Sequence, residues 1–198
     1  MATTMKLRIA VAALALLMGG VMTSFAKGGA TMPAKRKILV VYYSKTGNTE
    51  KVAKDVAAKL NADIEKITDL TDRSGVMGYL RGGRDAMKKR PTEIGPLQKN
   101  PADYDITVIG TPVWGWNMTP AVRAYITKTK GQLKEVAFFT TAGGTKAEKI
   151  VPSMEELSGK KAYAWIGFVG GDLKNAKKYD EKVNDFATAL AGQGTYLP

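Results

Sequence analysis

Six consecutive apolar residues, Ile38 to Tyr43, leave this chain little choice of local structure. The run is continuous rather than alternating and is rich in β-branched and aromatic side chains, the pattern of a strand buried on both faces. A polar turn follows, Ser44 to Thr49. Beyond it Val52, Val56 and Leu60, flanked by Ala53 and Ala57, recur at helical spacing. Strand, turn and helix therefore form the first unit.

The alternation continues along the chain. Asp63 to Ile67 alternates and reads as a more exposed edge strand. Val76 to Lys89 has helical character weakened by Gly78, Gly82 and Gly83, and Pro91, Pro96 and Pro101 mark an irregular return. Tyr104 to Gly110 is a strand carrying Ile106, Val108 and Ile109. Thr119-Pro120 then predicts a helix start, with Thr as cap and Pro in the first helical position, ahead of the stripe Val122, Tyr125 and Ile126. Val136 to Phe139 is the next strand. Ile150, Met154 and Leu157 mark a helix closed by Gly159, in which Pro152 predicts a kink or a late start. Ala164 to Val169 is the last strand, and Tyr179, Val183, Phe186, Ala187 and Leu190 line the last helix. Five β-α units with right-handed crossovers give an α/β fold, a three-layer sandwich around a five-stranded parallel sheet.

Residues 1–26 differ from this pattern and read as a signal peptide. Lys6 and Arg8 precede the apolar run Ile9 to Met22, and Ser24-Phe25-Ala26 offers a cleavage site after Ala26. The expectation is export to a periplasmic or extracellular location, with no stable membrane insertion once the signal is removed. An uncleaved N-terminal anchor is the alternative, although the run falls short of the roughly 20 residues of a spanning helix. Without a twin arginine, export of the unfolded chain is expected, with any cofactor acquired afterwards. Residues 27–36 form a small, basic tether containing Pro33. Residues 37–192 are then one domain, since the length is too short for two.

The sequence contains no Cys, which excludes a disulfide, a thiolate metal site, a thiol nucleophile and a lipid anchor on cysteine. Its formal charge is +12, with Lys6 and Arg8 contributing two of the positive charges. Such an excess favours acidic partners, anionic membrane surfaces or nucleic acid, or else simply keeps helix faces soluble. No nucleic-acid motif is present. The densest basic cluster, Lys88-Lys89-Arg90, falls at a predicted helix end where it suits the helix dipole.

Ligands of open parallel sheets bind beyond the carboxyl ends of the strands, where strand order reverses. In the order 2-1-3-4-5 the turns after strands one, three and four are neighbours. The first, Ser44-Lys45-Thr46-Gly47-Asn48-Thr49, supplies hydroxyls, an amide and a glycine at a helix N-terminus, where neutral donors can hold a terminal phosphate. It lacks the Gly-Lys-Ser/Thr ending of a triphosphate loop and the glycines of a dinucleotide fingerprint; a plain capped turn is the other reading. The second, Thr111-Pro112-Val113-Trp114-Gly115-Trp116-Asn117-Met118, places two indoles in a loop. Trp114 is the better candidate for stacking on a planar heterocycle, and Trp116 is equally suited to closing the core. The third turn includes Thr141-Ala142-Gly143-Gly144, where missing side chains let a ligand edge approach backbone N–H groups, unless the glycines only serve a tight turn.

Together these turns resemble the flavodoxin family, in its short flavodoxin and quinone-reductase branch. Ser44-x-Thr46-Gly47-Asn48-Thr49 resembles the FMN phosphate loop. Gly110 to Trp114 followed by Asn117-Met118-Thr119-Pro120 resembles the isoalloxazine loop, and Thr140 to Gly144 the third loop. The likeness spans roughly Lys37 to Leu190 and implies FMN, a 2-1-3-4-5 sheet and redox chemistry. An electron carrier serving a redox partner protein or small acceptor is the first functional expectation. An FMN-dependent NAD(P)H:quinone-type oxidoreductase is the second, although a chain without His lacks the commonest proton donor. A fold that has lost its flavin and serves as a binding module is the third.

Overall fold

The computed structural model describes residues 36–192. The expected signal peptide, and all of the expected tether except Arg36, lie outside the described residues. The described residues all fall within one compact unit.

Strand β1 (Ile38–Tyr42) is buried along its whole length, as its unbroken apolar run requires. Helix α1 (Asn48–Leu60) follows, burying Val52, Ala53, Val56 and Ala57, and closes on Asn61 in the left-handed region. Next come β2 (Asp63–Lys66), α2 (Gly75–Met87), β3 (Ile106–Trp114) and β4 (Asn117–Met118). They are followed by α3 (Pro120–Thr129), β5 (Glu135–Ala142) and α4 (Val151–Ser158). β6 (Ala162–Val169), α5 (Gly170–Lys174) and α6 (Ala176–Leu190) complete the order.

The long strands run parallel in the order β2-β1-β3-β5-β6, with β4 paired antiparallel to the end of β3. With the short hairpin strand left out, this is the expected 2-1-3-4-5 sheet. Alternate side chains feed two cores. Val40, Tyr42, Val108 and Phe139 pack with α1 and α6 on one face. Leu39, Val41, Ile109 and Phe138 pack with α3 and α4 on the other. The register sets Tyr42 beside Gly110 and Thr111 beside Thr140, so β3 and β5 run a few residues past the end of β1 at the same edge of the sheet.

Several local expectations resolve differently. Thr119 makes no side-chain cap; its hydroxyl lies 3.3 Å from that of Thr111, and its backbone N–H donates to Thr111 Oγ1. Pro120 does open α3. Pro152 marks a late start, because a 3-10 turn at Ala147–Lys149 precedes α4, and Gly159 ends it with φ +67°. The edge strand β2 buries Glu65, whose carboxylate accepts the N–H groups of Gln98 and Lys99 at 2.7 and 3.0 Å. That pairing fastens the proline-rich return to the sheet. In α2 Gly78 and Gly82 are also contact surface: a Cβ on Gly78 would collide with the Arg73 backbone, and one on Gly82 would sit 2.7 Å from the Trp114 ring. No helix among the described residues is long and apolar enough to cross a membrane.

Candidate cofactor site

The first turn closes on itself. Ser44 is buried and its Oγ accepts the Gly47 N–H at 3.1 Å, while Gly47 takes φ +92°, a conformation that favours glycine. Lys45, Thr46, Gly47 and Asn48 are exposed. No side chain caps α1, so its first N–H groups keep their capacity to bind an anion. Lys45 donates its ammonium to the Arg73 carbonyl, and Arg73 is itself buried between Asp69 (3.2 Å) and Asp85 (2.8 Å). The loop's one cation thus ties it to the 69–74 segment, leaving hydroxyl, amide and backbone donors for a ligand. Glu50, in the first turn of α1, would repel an anion. Lys54 and Lys66 hydrogen-bond to it, hold its carboxyl at about 2 and balance its charge.

The second turn is a hairpin. Gly115 and Trp116 both lie in the left-handed region, φ +50° and +57°, giving the two-residue turn between the paired Trp114 and Asn117. A Cβ on Gly115 would stand 2.5 Å from the Gly83 carbonyl oxygen, so the hairpin rests directly on α2. At the tip Trp116 is 73 % exposed. A bulky residue with positive φ is unusual, and strain of this kind gathers at ligand-binding positions.

Trp114, the expected stacking ring, is the more buried indole, and of the two readings open for Trp116 the structure shows the exposed one. Trp114 is half-buried beneath Gly82 and meets Tyr43 edge-on, ring centres 5.6 Å apart, whereas Trp116 is the open ring. The cause is the turn geometry, which carries the chain at Trp114 under α2 and holds the tip away from the core. Thr111 is fully buried and its hydroxyl serves Pro112 O and Thr119. Pro112 and Val113 are partly buried, Val113 against the core. Asn117 is fixed from behind: its Oδ1 accepts from Arg123 Nη2 at 3.0 Å.

The third turn joins the first through Thr141, whose hydroxyl shares a 2.7 Å hydrogen bond with that of Thr49. Ala142 ends β5, and the Gly143 carbonyl accepts the Gly170 N–H at 3.3 Å. Neither Gly143 nor Gly144 has positive φ, and a Cβ on either would meet no atom within 4 Å. Backbone conformation and packing within the chain thus leave both glycines unexplained. A flat ligand edge laid against the backbone there would explain them.

Trp116 faces the third turn across a cleft of about 650 Å³ lined by Gly144, Thr145, Lys146 and Lys149. A hollow of about 490 Å³ beside the first turn is lined by Tyr43, Lys45 and residues 66–74. Tyr43, Lys146, Lys149 and Arg73 are site residues that sequence reasoning missed. Only Lys146 and Lys149 carried a signal, lying two and five residues past Gly144. Burial, reinforced by Asp69 and opposed by Arg73, pushes the Tyr43 hydroxyl up to about 12, so it stays neutral. Among the described residues no cluster of His, Cys, Asp and Glu could hold a metal ion.

Residues 37–190 match the sequence model of the flavodoxin family. A flavoprotein of Lactobacillus acidophilus NCFM, solved in complex with FMN, is 22 % identical and superposes with a TM-score of 0.59 over 70 % of this chain and 97 % of its own. A candidate flavoprotein of Bacteroides eggerthii DSM 20697 is 22 % identical with a TM-score of 0.60, over 75 % and 98 % of the two chains. The Trp repressor binding protein of Bacillus subtilis is 14 % identical with a TM-score of 0.51, over 78 % and 100 %. These likenesses are of fold.

Proposed function

Because the chain belongs to the flavodoxin family, we propose that it holds one FMN at the ends of β1, β3 and β5 and serves as an electron carrier. The pair Gly143 and Gly144 carries this reading, since among the described residues neither backbone conformation nor packing requires glycine at either position. Thr46, Asn48 and the first N–H groups of α1 would hold the phosphate without a counter-charge, and Ser44 shapes that turn. The exposed Trp116 ring offers a stacking surface, and the backbone at Ala142 to Gly144 offers donors to a heterocycle edge. Bound FMN supplies reversible uptake of one or two electrons.

What the chain's own residues do is bind, orient and limit proton supply. The sequence has no His, the commonest proton donor, and Tyr43 is buried and neutral. That favours a carrier, exchanging electrons with a partner protein or small acceptor. A reductase taking hydride from a nicotinamide is the second reading, favoured by the open cleft beside Trp116 with Lys146 and Lys149 on its wall. Mixing the FMN-loaded protein with a nicotinamide and a quinone separates the two. The carrier leaves the nicotinamide unoxidised on the timescale of turnover, and rapid oxidation establishes the reductase. A colourless protein that takes up no FMN contradicts both. We further propose that the chain is exported and meets its redox partner outside the cytoplasm, which the N-terminal sequence of the mature protein tests.

A further inference from the structure

Exposed apolar side chains are unevenly distributed over the described residues. Val76, Met77, Tyr79, Leu80 and Met87 all lie on α2, between 51 and 74 % exposed, with Leu70 just before the helix. The Trp116 hairpin adjoins them, since Gly115 abuts Gly83 and Met87. Single exposed apolar residues need no explanation; a contiguous set does. Val76, Leu80 and Met87 fall on one line of the helix, opposite Gly78, Gly82 and Ala86, which face the body of the protein. The usual order of a surface helix is thus inverted, small residues inward and large apolar ones outward.

Positive charges predominate beside this ridge, against the exposed Asp72 just before the helix. Arg81, Arg84, Lys88, Lys89 and Arg90 are exposed, and none forms an ion pair among the described residues. Asp85, the acid of α2, is committed to Arg73 at 2.8 Å. We propose that α2 seats the protein on a bilayer surface containing anionic phospholipid. Val76, Leu80 and Met87 enter the apolar boundary, and Arg81, Arg84 and Lys88 meet headgroup phosphates. The helix lies on the membrane and does not cross it. A second copy is a poor occupant, because two such faces would set their cations against each other. A bilayer also needs no matching groove, and Tyr79 brings a ring suited to the interface.

This contact does not depend on the cofactor, so the apoprotein tests it. The solved relatives consist almost wholly of this domain, with 97 and 98 % of their chains covered. Residues 35–198, which contain the whole described unit, are therefore a sound fragment, free of the N-terminal apolar run. The measurement is co-sedimentation with vesicles of phosphatidylcholine alone and of phosphatidylcholine mixed with phosphatidylglycerol. The fragment binds the mixed vesicles roughly tenfold or more tightly than the neutral ones. The V76S/L80S variant keeps the charge and, being altered only at exposed positions, keeps its melting temperature; it loses roughly tenfold in affinity or more. R81Q/R84Q binds more weakly and with a shallower salt dependence. Binding by V76S/L80S equal to that of the unaltered fragment overturns the proposal in favour of unspecific charge attraction. Absence of binding to the mixed vesicles overturns it too, as does a lipid-free dimer that V76S/L80S dissolves.

Discussion

Thr49 Oγ1 and Thr141 Oγ1 share a buried hydrogen bond of 2.7 Å that joins turns 92 positions apart in the chain. It fixes the helix N-terminus of the first turn against the strand end that leads to Gly143. Thr49→Val or Thr141→Val alone strands a buried hydroxyl and is predicted to cost about 1–2 kcal/mol. T49V/T141V should cost clearly less than the sum. Urea denaturation of the four proteins measures the coupling, and strict additivity would contradict the pairing.

The glycines at strand ends divide into two kinds. At Gly110 a Cβ would collide with the Phe139 ring, whereas at Gly143 and Gly144 it would enter open space. Gly110→Ala should therefore destabilise by about 2–3 kcal/mol or prevent folding. G143A/G144A should leave the apoprotein within about 0.5 kcal/mol of its parent while raising the FMN Kd roughly tenfold. Parallel thermal melts and FMN titrations check the contrast; unchanged FMN affinity would remove the reason offered for these glycines.

Much of this arrangement is legible from sequence and some is not, for physical reasons. Continuous apolar runs such as Ile38 to Tyr42 and Val136 to Phe139 admit one reading because a strand covered on both faces has no polar side. The turns holding Ser44 to Thr49 and Thr141 to Gly144 could be located because a parallel sheet brings the carboxyl ends of its central strands together. Strand β4 has only Asn117 and Met118, too few for any period. Thr119 reads locally as a cap, yet Thr111, eight positions earlier, takes its hydroxyl into another network. The glycines of α2 look like helix weakness until the Trp114 ring beneath Gly82 is in view. Which indole opens to solvent depends on the left-handed Gly115 and Trp116, and no residue pattern specified that a Trp would take such a conformation.

The indoles should separate stability from binding. Trp114→Ala empties the space between Tyr43 and Gly82 and is predicted to cost about 3 kcal/mol. Trp116→Ala removes an exposed ring from a left-handed backbone position and should leave apoprotein stability within about 0.5 kcal/mol, while weakening FMN binding. Chemical denaturation and flavin titration of both variants check this. A large stability loss confined to the Trp116 variant would contradict the hairpin geometry.

Asp172 gives the fold a predictable acid response. Burial alone would raise its carboxyl. Lys178 and Lys182, each 2.7 Å away, and the Val169 N–H outweigh that and hold it at about 2. Because the folded value lies below the ordinary aspartate range, its stabilisation is complete above about pH 4 and is lost as pH falls toward 2. Asp172→Asn should lower the melting temperature at neutral pH and flatten the decline across that window. Thermal melts at a series of pH values test this, and parallel curves for the two proteins would count against the ion pairs.

The central claim is that uncharged donors in the turn between β1 and α1 hold the FMN phosphate, and flavin-fluorescence titration of the T46A/N48A variant, altered only at exposed positions, tests it most directly. Hydrogen bonds to a charged phosphate are worth about 1.5–3 kcal/mol each, so the Kd should rise roughly 100-fold or more, with the melting temperature of the apoprotein largely retained. Affinity equal to that of the unaltered protein would contradict the site.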